Sequence, residues 1–340
     1  MQAISGYDAL YDHFPAGIKV ESVFCNFQKR YPRGIGRMME KSAALAGGPG
    51  FYNAQSLEAE MRLLWKAGIN KYDLVHYAYG ESYFGIGRIL KKRLPVFVTN
   101  HQPVSWWERH TGFAARYANA SKVITLSEHD RDYFNILQPG KAVCIPHGVN
   151  TKFYRPDTAA VPSGPFNVLF VGRYLRDTVA LCRTVNNLRS LQPDIRFDVV
   201  YADRAGYLQT GMQELAKLPE VNWHTGVSAE ALRGLYSKAD CCLIPLEDST
   251  ANNAILEAMA CGTPVVTTNL PAVHTYLDET SAMFARPKNS DDLTDLVLSL
   301  YREPGKKSAM GKKAREKAVR DLDWEVIALK TFDLFNSYHD

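Results

Sequence analysis

The chain has 340 residues, more than one hydrophobic core usually serves, so about two domains are expected, each able to bury a core of its own. Apolar residues make up 46% and charged residues 22%, which excludes wholesale disorder and fibrous repeats, and no run of about eighteen apolar residues marks a membrane span. The net charge of +4 is too small to argue for a nucleic-acid partner, and the six cysteines lack the paired spacing of a metal site or a disulfide framework, so no metal is expected.

The opening MQAISGYDALYDHF has no basic segment followed by an apolar run, which predicts a cytoplasmic protein. Basic residues gather at Lys29, Arg30, Arg33, Arg37 and Lys41, and again at Lys91, Lys92 and Arg93, with Trp106 and Trp107 further along. That pattern suits a solvated face, or peripheral contact with an anionic membrane or a lipid-phosphate acceptor. The stretch QSLEAEMRLLWKAG carries Leu57, Met61, Leu64 and Trp65 at helical spacing.

Short apolar, β-branched runs predict strands at 72–79, 94–99, 122–127 and 142–146, and after a break at 167–172, 195–201, 240–246 and 263–268. Strands alternating with helices imply doubly wound parallel sheets, and RPDTAAVPSGP (155–165) reads as the linker between two series. In such sheets ligands bind beyond the carboxyl ends of the strands, so a cleft between the domains is the expected site.

The most specific stretch is NNAILEAMACGTPVVTT, Asn252 to Thr268. A buried strand leads through a polar loop into a helix beginning near Asn252, whose free N–H groups and dipole suit a diphosphate. Asn252 or Asn253 can cap that helix and help position phosphate. Glu257, further along, can accept hydrogen bonds from both hydroxyls of a ribose, or can be an exposed helix residue with no ligand.

This stretch resembles the donor-site signature of the retaining glycosyltransferase family four, and further segments match in order: VITLSEHDRDYF (123–134), IPHGVNTKFYRP (145–156), VLFVGR (168–173) and HTGVSAEALRGLYSKADCCLIP (224–245). The resemblance implies an α/β fold of GT-B architecture, with two doubly wound Rossmann-like domains facing across a cleft. These would be an acceptor-side domain over residues 1–155 and a nucleotide-sugar domain over 156–320, with a closing helix over 321–340 that returns to the first.

It also implies roles. Arg173 matches the arginine that pairs with the donor diphosphate, and Gly226 and Val227 match the loop against the nucleobase. Glu257 matches the ribose carboxylate. His101, after the strand at 94–99, matches the histidine that touches the donor sugar, the candidate catalytic group, while a structural histidine remains open. Where the family has a lysine, Thr178 stands; Arg176 either supplies that charge or pairs locally with Asp177. Where the family has a first glutamate, Ser249 stands, with Glu247 and Asp248 nearby. Members begin with an apolar strand and a glycine loop, whereas this chain starts at MQAISGYD. The N-terminal domain is therefore expected to lack its first strand, leaving Ser5 and Gly6 as the end of a cleft loop and a reading frame that starts upstream.

The implied activity is transfer of a sugar from a nucleotide-diphosphate sugar to a saccharide or lipid-linked acceptor with retention, as in polysaccharide or glycolipid biosynthesis, with no cofactor and no nucleic acid. Two rivals stay open on sequence: a nucleotide-sugar epimerase of the same architecture, and a non-catalytic nucleotide-sugar-binding protein.

Overall fold

A computed structural model of the chain describes residues 6–338 apart from 27, 48–49, 111, 113–114, 158–163 and 202–209. It forms two compact units, one of Leu10–His147 with Ala328–Asp340 and one of Met1–Ala9 with Gly148–Ile327. No helix among the described residues is long and apolar enough to cross a membrane.

The unit containing Leu10–His147 is built on four parallel strands in sequential order: β1 (Val75–Tyr77), β2 (Val96–Asn100), β3 (Lys122–Thr125) and β4 (Ala142–Cys144). All five residues of β2 are buried, because a parallel sheet covered on both faces selects a continuous apolar run rather than an alternating one. Among the described residues β1 is the first strand of the chain. Trp106 and Trp107 are core residues, 8% and 0% exposed, and the indole N–H of Trp107 donates to Asn100 Oδ1 at 2.9 Å. Their sequence reading as interfacial aromatics is therefore corrected: a buried indole with its hydrogen bond satisfied internally presents nothing to a lipid surface.

The other unit holds six parallel strands: β5 (Asn167–Val171), β6 (Arg196–Val200), β7 (Val221–His224), β8 (Cys241–Ile244), β9 (Val265–Thr268) and β10 (Ala282–Ala285). Their spatial order is β10-β9-β8-β5-β6-β7. The runs picked out in the sequence contain all but β7 and β10. These two are the sheet's edges, and VNWH and AMFA carry no β-branched run because an edge strand packs against one neighbour only. From β5 the chain winds outward through β6 and β7, then returns to the other side for β8, β9 and β10. The loops leaving the carboxyl ends of β5 and β8 therefore part from each other, and this reversal is where open α/β sheets form a ligand crevice.

The division of the chain falls at 147/148, ahead of the boundary at 155 read from the sequence. The residues just after Gly148 are tied to the far end of their own unit. Val149 N–H donates to Leu322 O at 2.8 Å, and the Thr151 hydroxyl bonds the Asp323 carboxylate. Arg315 Nη1 reaches Thr151 O at 3.1 Å, Tyr154 O at 2.9 Å and Ala260 O at 2.7 Å. The helix Trp324–Asn336 starts in this unit and ends in the other, where Phe335 packs on Phe97 with ring centroids 4.5 Å apart.

Gly148 is required by close approach. A Cβ there would lie 2.4 Å from the ring of Trp324, itself 1% exposed. Gly148→Ala should therefore cost about 1–3 kcal/mol, the usual penalty for overpacking. Differential scanning calorimetry should find the melting temperature of this unit lowered by several degrees, and an unchanged melting temperature would mean that Trp324 yields.

Candidate active site

The loop that leaves β5 lies at the reversal of strand order. Gly172 turns it at φ +96, and Leu175 is held at φ +57, a left-handed position that an ordinary side chain adopts only when its surroundings impose it. Two backbone bonds impose it here: Asp177 N–H to Pro245 O at 3.0 Å and Glu247 N–H to Leu175 O at 3.0 Å. They lace the loop after β5 to the loop after β8.

Arg176 fastens the same two loops through its side chain. Its Nε donates to Val171 O, its Nη1 to Tyr174 O and its Nη2 to Asn252 Oδ1, each at 3.0 Å. The guanidinium lies so close beneath the turn that a Cβ on Gly172 would be 2.8 Å from Nη2. None of the three acceptors carries a charge, and no ion pair to Arg176 exists among the described residues. Burial lowers its pKa from the ordinary arginine value, a mark of a cation short of compensation. The alternative of local pairing with Asp177 is corrected. That carboxylate accepts Ala180 N–H at 2.8 Å and caps the helix Thr178–Leu191. Thr178 is the buried first residue of that helix and brings no charge.

Asn252 caps the helix Asn253–Ala260, its Oδ1 accepting Ala254 N–H at 3.1 Å and Ile255 N–H at 3.4 Å in addition to Arg176. Of the two candidate caps, Asn252 does the capping and Asn253 stands exposed at the tip, at the positive end of the helix dipole. Arg173 follows Gly172, is exposed, and makes no side-chain hydrogen bond among the described residues. Two cations and a helix N-terminus are thereby gathered at the reversal point, as an anionic ligand requires.

Glu257 lies one turn beyond Asn253 on the same helical face. It is 6% exposed, so the reading as an exposed helix residue is corrected: packing turns the side chain inward, against two tyrosines. Tyr236 O–H donates to its Oε2 at 3.0 Å and the Tyr154 hydroxyl also bonds it, while burial raises its pKa to about 7. Gly226 (φ +62), exposed, and Val227, half-buried, form the loop just past the carboxyl end of β7, before the helix Ala229–Lys238 that Ser228 caps. Ser249 is buried, and its N–H donates to Asp248 Oδ1 at 2.7 Å.

His101 belongs to the other unit, directly after β2. Its Nε2 bonds Ala78 O at 2.8 Å, so that nitrogen carries the proton, and the ring stacks on Tyr79 with centroids 4.5 Å apart. Burial, with His147 nearby, lowers its pKa to about 3. Glu81, which the sequence did not single out, accepts the His101 backbone N–H at 3.3 Å, and burial raises its pKa to about 7. Ser5 lies outside the described residues. Gly6, at φ +98, opens the 3-10 helix Tyr7–His13.

The model of the family described as glycosyltransferase family 4 matches residues 16–153, and that of glycosyl transferases group 1 matches 165–303. This chain belongs to glycosyltransferase family four. A D-inositol 3-phosphate glycosyltransferase from Arthrobacter sp. (strain FB24) is 28% identical over 65% of this chain and 53% of its own. An MMP α-(1→4)-mannosyltransferase from Mycolicibacterium hassiacum is 25% identical over 82% and 74% respectively. The chain thus spans about half the length of the first of these relatives. Among solved structures, sucrose-phosphate synthase from Thermosynechococcus elongatus superposes with a TM-score of 0.72 at 20% identity, covering 96% of this chain and 87% of that one. Anabaena HepE in complex with UDP and glucose gives 0.70 at 16% identity, covering 82% of each. The fold is that of the GT-B glycosyltransferases.

Within this family-four fold, sequence reasoning missed how the donor-side residues are held. Tyr154 and Tyr236, the partners of Glu257, stand in the matched segments IPHGVNTKFYRP and HTGVSAEALRGLYSKADCCLIP, but nothing local in either segment says that their hydroxyls meet Glu257. Glu257 also carries a pH signature. A carboxyl whose folded pKa is raised from 4.5 to about 7 favours the native state while protonated, and that contribution is lost as pH rises through 7. Between pH 5 and pH 8 the parent should therefore lose up to roughly 3 kcal/mol relative to Glu257→Gln, read from paired urea titrations. Parallel stability curves for the two proteins would show that the carboxyl is not buried as described.

Proposed function

We propose that the protein transfers a sugar from a nucleotide-diphosphate sugar to an acceptor hydroxyl with retention at the anomeric carbon. The observation that carries this reading is the cation Arg176, without a carboxylate partner, at the reversal of a six-stranded parallel sheet and bonded to the cap of the signature helix. Donor diphosphate is the charge that this arrangement lacks. Arg173, which is exposed, would close on it from the loop, and Asn253 would offer the backbone N–H at the helix tip. Asn252 acts indirectly, by fixing the helix end against Arg176. The ribose would lie against Glu257, displacing the tyrosine hydroxyls from its carboxylate, with Gly226 and Val227 beside the base.

As the bond to the anomeric carbon breaks, negative charge grows on the leaving diphosphate, and positive groups fixed in advance stabilise it without reorganising. The departing phosphate oxygen takes the acceptor's proton, so no strong base is required of the protein. His101 suits binding and orienting the sugar rather than proton transfer. With a pKa of about 3 it stays neutral at physiological pH, and its Nε2–H is committed to Ala78. The acceptor is a saccharide or a lipid-linked saccharide, in polysaccharide or glycolipid assembly. The protein would act in the cytoplasm, and a lipid-linked acceptor would bring it to the inner face of the membrane, a contact supported by the local positive charge of the chain's early segments.

Thermal-shift screening of nucleotide sugars should identify the donor, beginning with UDP sugars because HepE was solved with UDP and glucose. Arg173→Ala and Arg176→Ala should each weaken the nucleoside diphosphate by about 1.5–3 kcal/mol and the monophosphate by less, with non-additive effects in the double variant. Arg176→Lys should restore charge but not the bond to Asn252, giving a partial recovery. Equal losses for monophosphate and diphosphate would remove both arginines from the diphosphate.

His101→Ala should lower turnover while leaving affinity for the sugar-free nucleotide nearly intact. If both turnover and nucleotide affinity fell together with the melting temperature, the histidine would be structural only.

A further inference from the structure

The unit containing Leu10–His147 leaves large apolar side chains in solvent, and they are concentrated on adjoining elements. On the helix Arg33–Ala46 the exposed residues include Ile35, Met38 and Leu45, the last 88% exposed. The neighbouring helix Ala54–Ile69 exposes Met61, Trp65 and Ile69 at i, i+4 and i+8, one stripe of its surface, with Trp65 at 66%. The two helices pack against each other. The preceding segment, which exposes Ile18, Val20 and Phe24, is tied to the second helix: Arg62 Nη2 donates to Phe24 O at 2.6 Å, and Lys66 pairs with Glu21.

Basic residues flank this apolar surface. Arg33, Arg37 and Lys41 recur at i, i+4 and i+8 beside the Met38 and Leu45 side of the first helix, exposed and without an ion pair among the described residues. The first helix turns inward a line of small contact, with Ala43 buried and Gly36 half-buried, and so spends little of its apolar surface on the fold. A helix with an apolar stripe facing water and a basic row beside it is the pattern of a segment lying in a lipid–water interface.

We infer that this face, made by the helices Arg33–Ala46 and Ala54–Ile69 with the segment around Phe24, docks on an anionic phospholipid surface. Charge complementarity selects that occupant. The row Arg33–Arg37–Lys41 is exposed and without an ion pair among the described residues, and headgroup phosphates supply the opposite charge. On a bilayer the same cations reach headgroup phosphates while Met38, Leu45 and Trp65 enter the acyl boundary. The inference deepens the peripheral contact proposed for a lipid-linked acceptor and rests on that reading, but vesicle binding requires no donor and is measured apart from it.

Co-sedimentation of the full chain with vesicles of phosphatidylglycerol and phosphatidylcholine, against phosphatidylcholine alone, tests it at low salt. The parent should bind the anionic vesicles and be released by salt. Arg37→Gln with Lys41→Gln should weaken partitioning about thirtyfold, and Met38→Ser with Leu45→Ser about tenfold or more. All four positions are exposed, and both double variants should keep the parent's melting temperature and its thermal shift with nucleotide. Failure of the parent to bind anionic vesicles, or parent-like binding by both double variants, overturns the proposal. So does concentration-dependent dimerisation in sedimentation velocity that the apolar pair abolishes, since the face would then belong to a second copy. Loss of nucleotide binding in the parent would instead count against the donor site and leave the vesicle result standing.

Discussion

The hydrogen bond from Arg176 to Asn252 joins two things that a doubly wound sheet would otherwise let drift apart. It connects the loop leaving β5 to the cap of the helix that follows β8, across the point where strand order reverses. Around it stand the turn at Gly172, the left-handed Leu175 held by backbone bonds between the same two loops, and the first turn of the helix Asn253–Ala260. A charge held by three neutral acceptors is incompletely compensated, and it gives the crevice a standing attraction for an anion. The strain in the loop and the partial burial of the cation are local costs to the unit's stability.

Two buried groups, one in each unit, are pushed toward their neutral forms. Glu257 sits among Tyr154 and Tyr236 with its carboxyl pushed up, and His101 is held as a neutral ring between Ala78 O and Tyr79. His101 stays neutral near pH 7, whereas Glu257 titrates there and is a pH-dependent element of its unit's own stability.

Tryptophan illustrates how residue type underdetermines role. Trp106 and Trp107 follow a basic cluster in the chain, yet they are core residues, Trp107 packed on Tyr117 and Phe134 and Trp106 on Trp107, whereas Trp65 lies on the outer stripe of its helix. The difference arises in the helices. Ala54–Ile69 is apolar on more than one side, so burying Leu57 and Ala59 leaves Met61, Trp65 and Ile69 uncovered.

Much of the architecture was legible in the sequence. Apolar, β-branched runs marked all four strands of the smaller sheet and the four inner strands of the larger one, because burial on both faces of a parallel sheet favours such runs. The cap at Asn252 was of a residue type that satisfies a helix's first N–H groups. The ordered motifs located Arg173, Arg176 and Glu257 on one series of strands. Tertiary structure alone decided the edges β7 and β10, whose short runs need only one paired neighbour. It also decided that Asp177 caps a helix while Arg176 turns to Asn252, and that Glu257 is buried among tyrosines. These outcomes depend on which carboxyl ends the sheet order brings together. Strand order is set by crossovers and packing between residues far apart in the chain, and no local pattern records it.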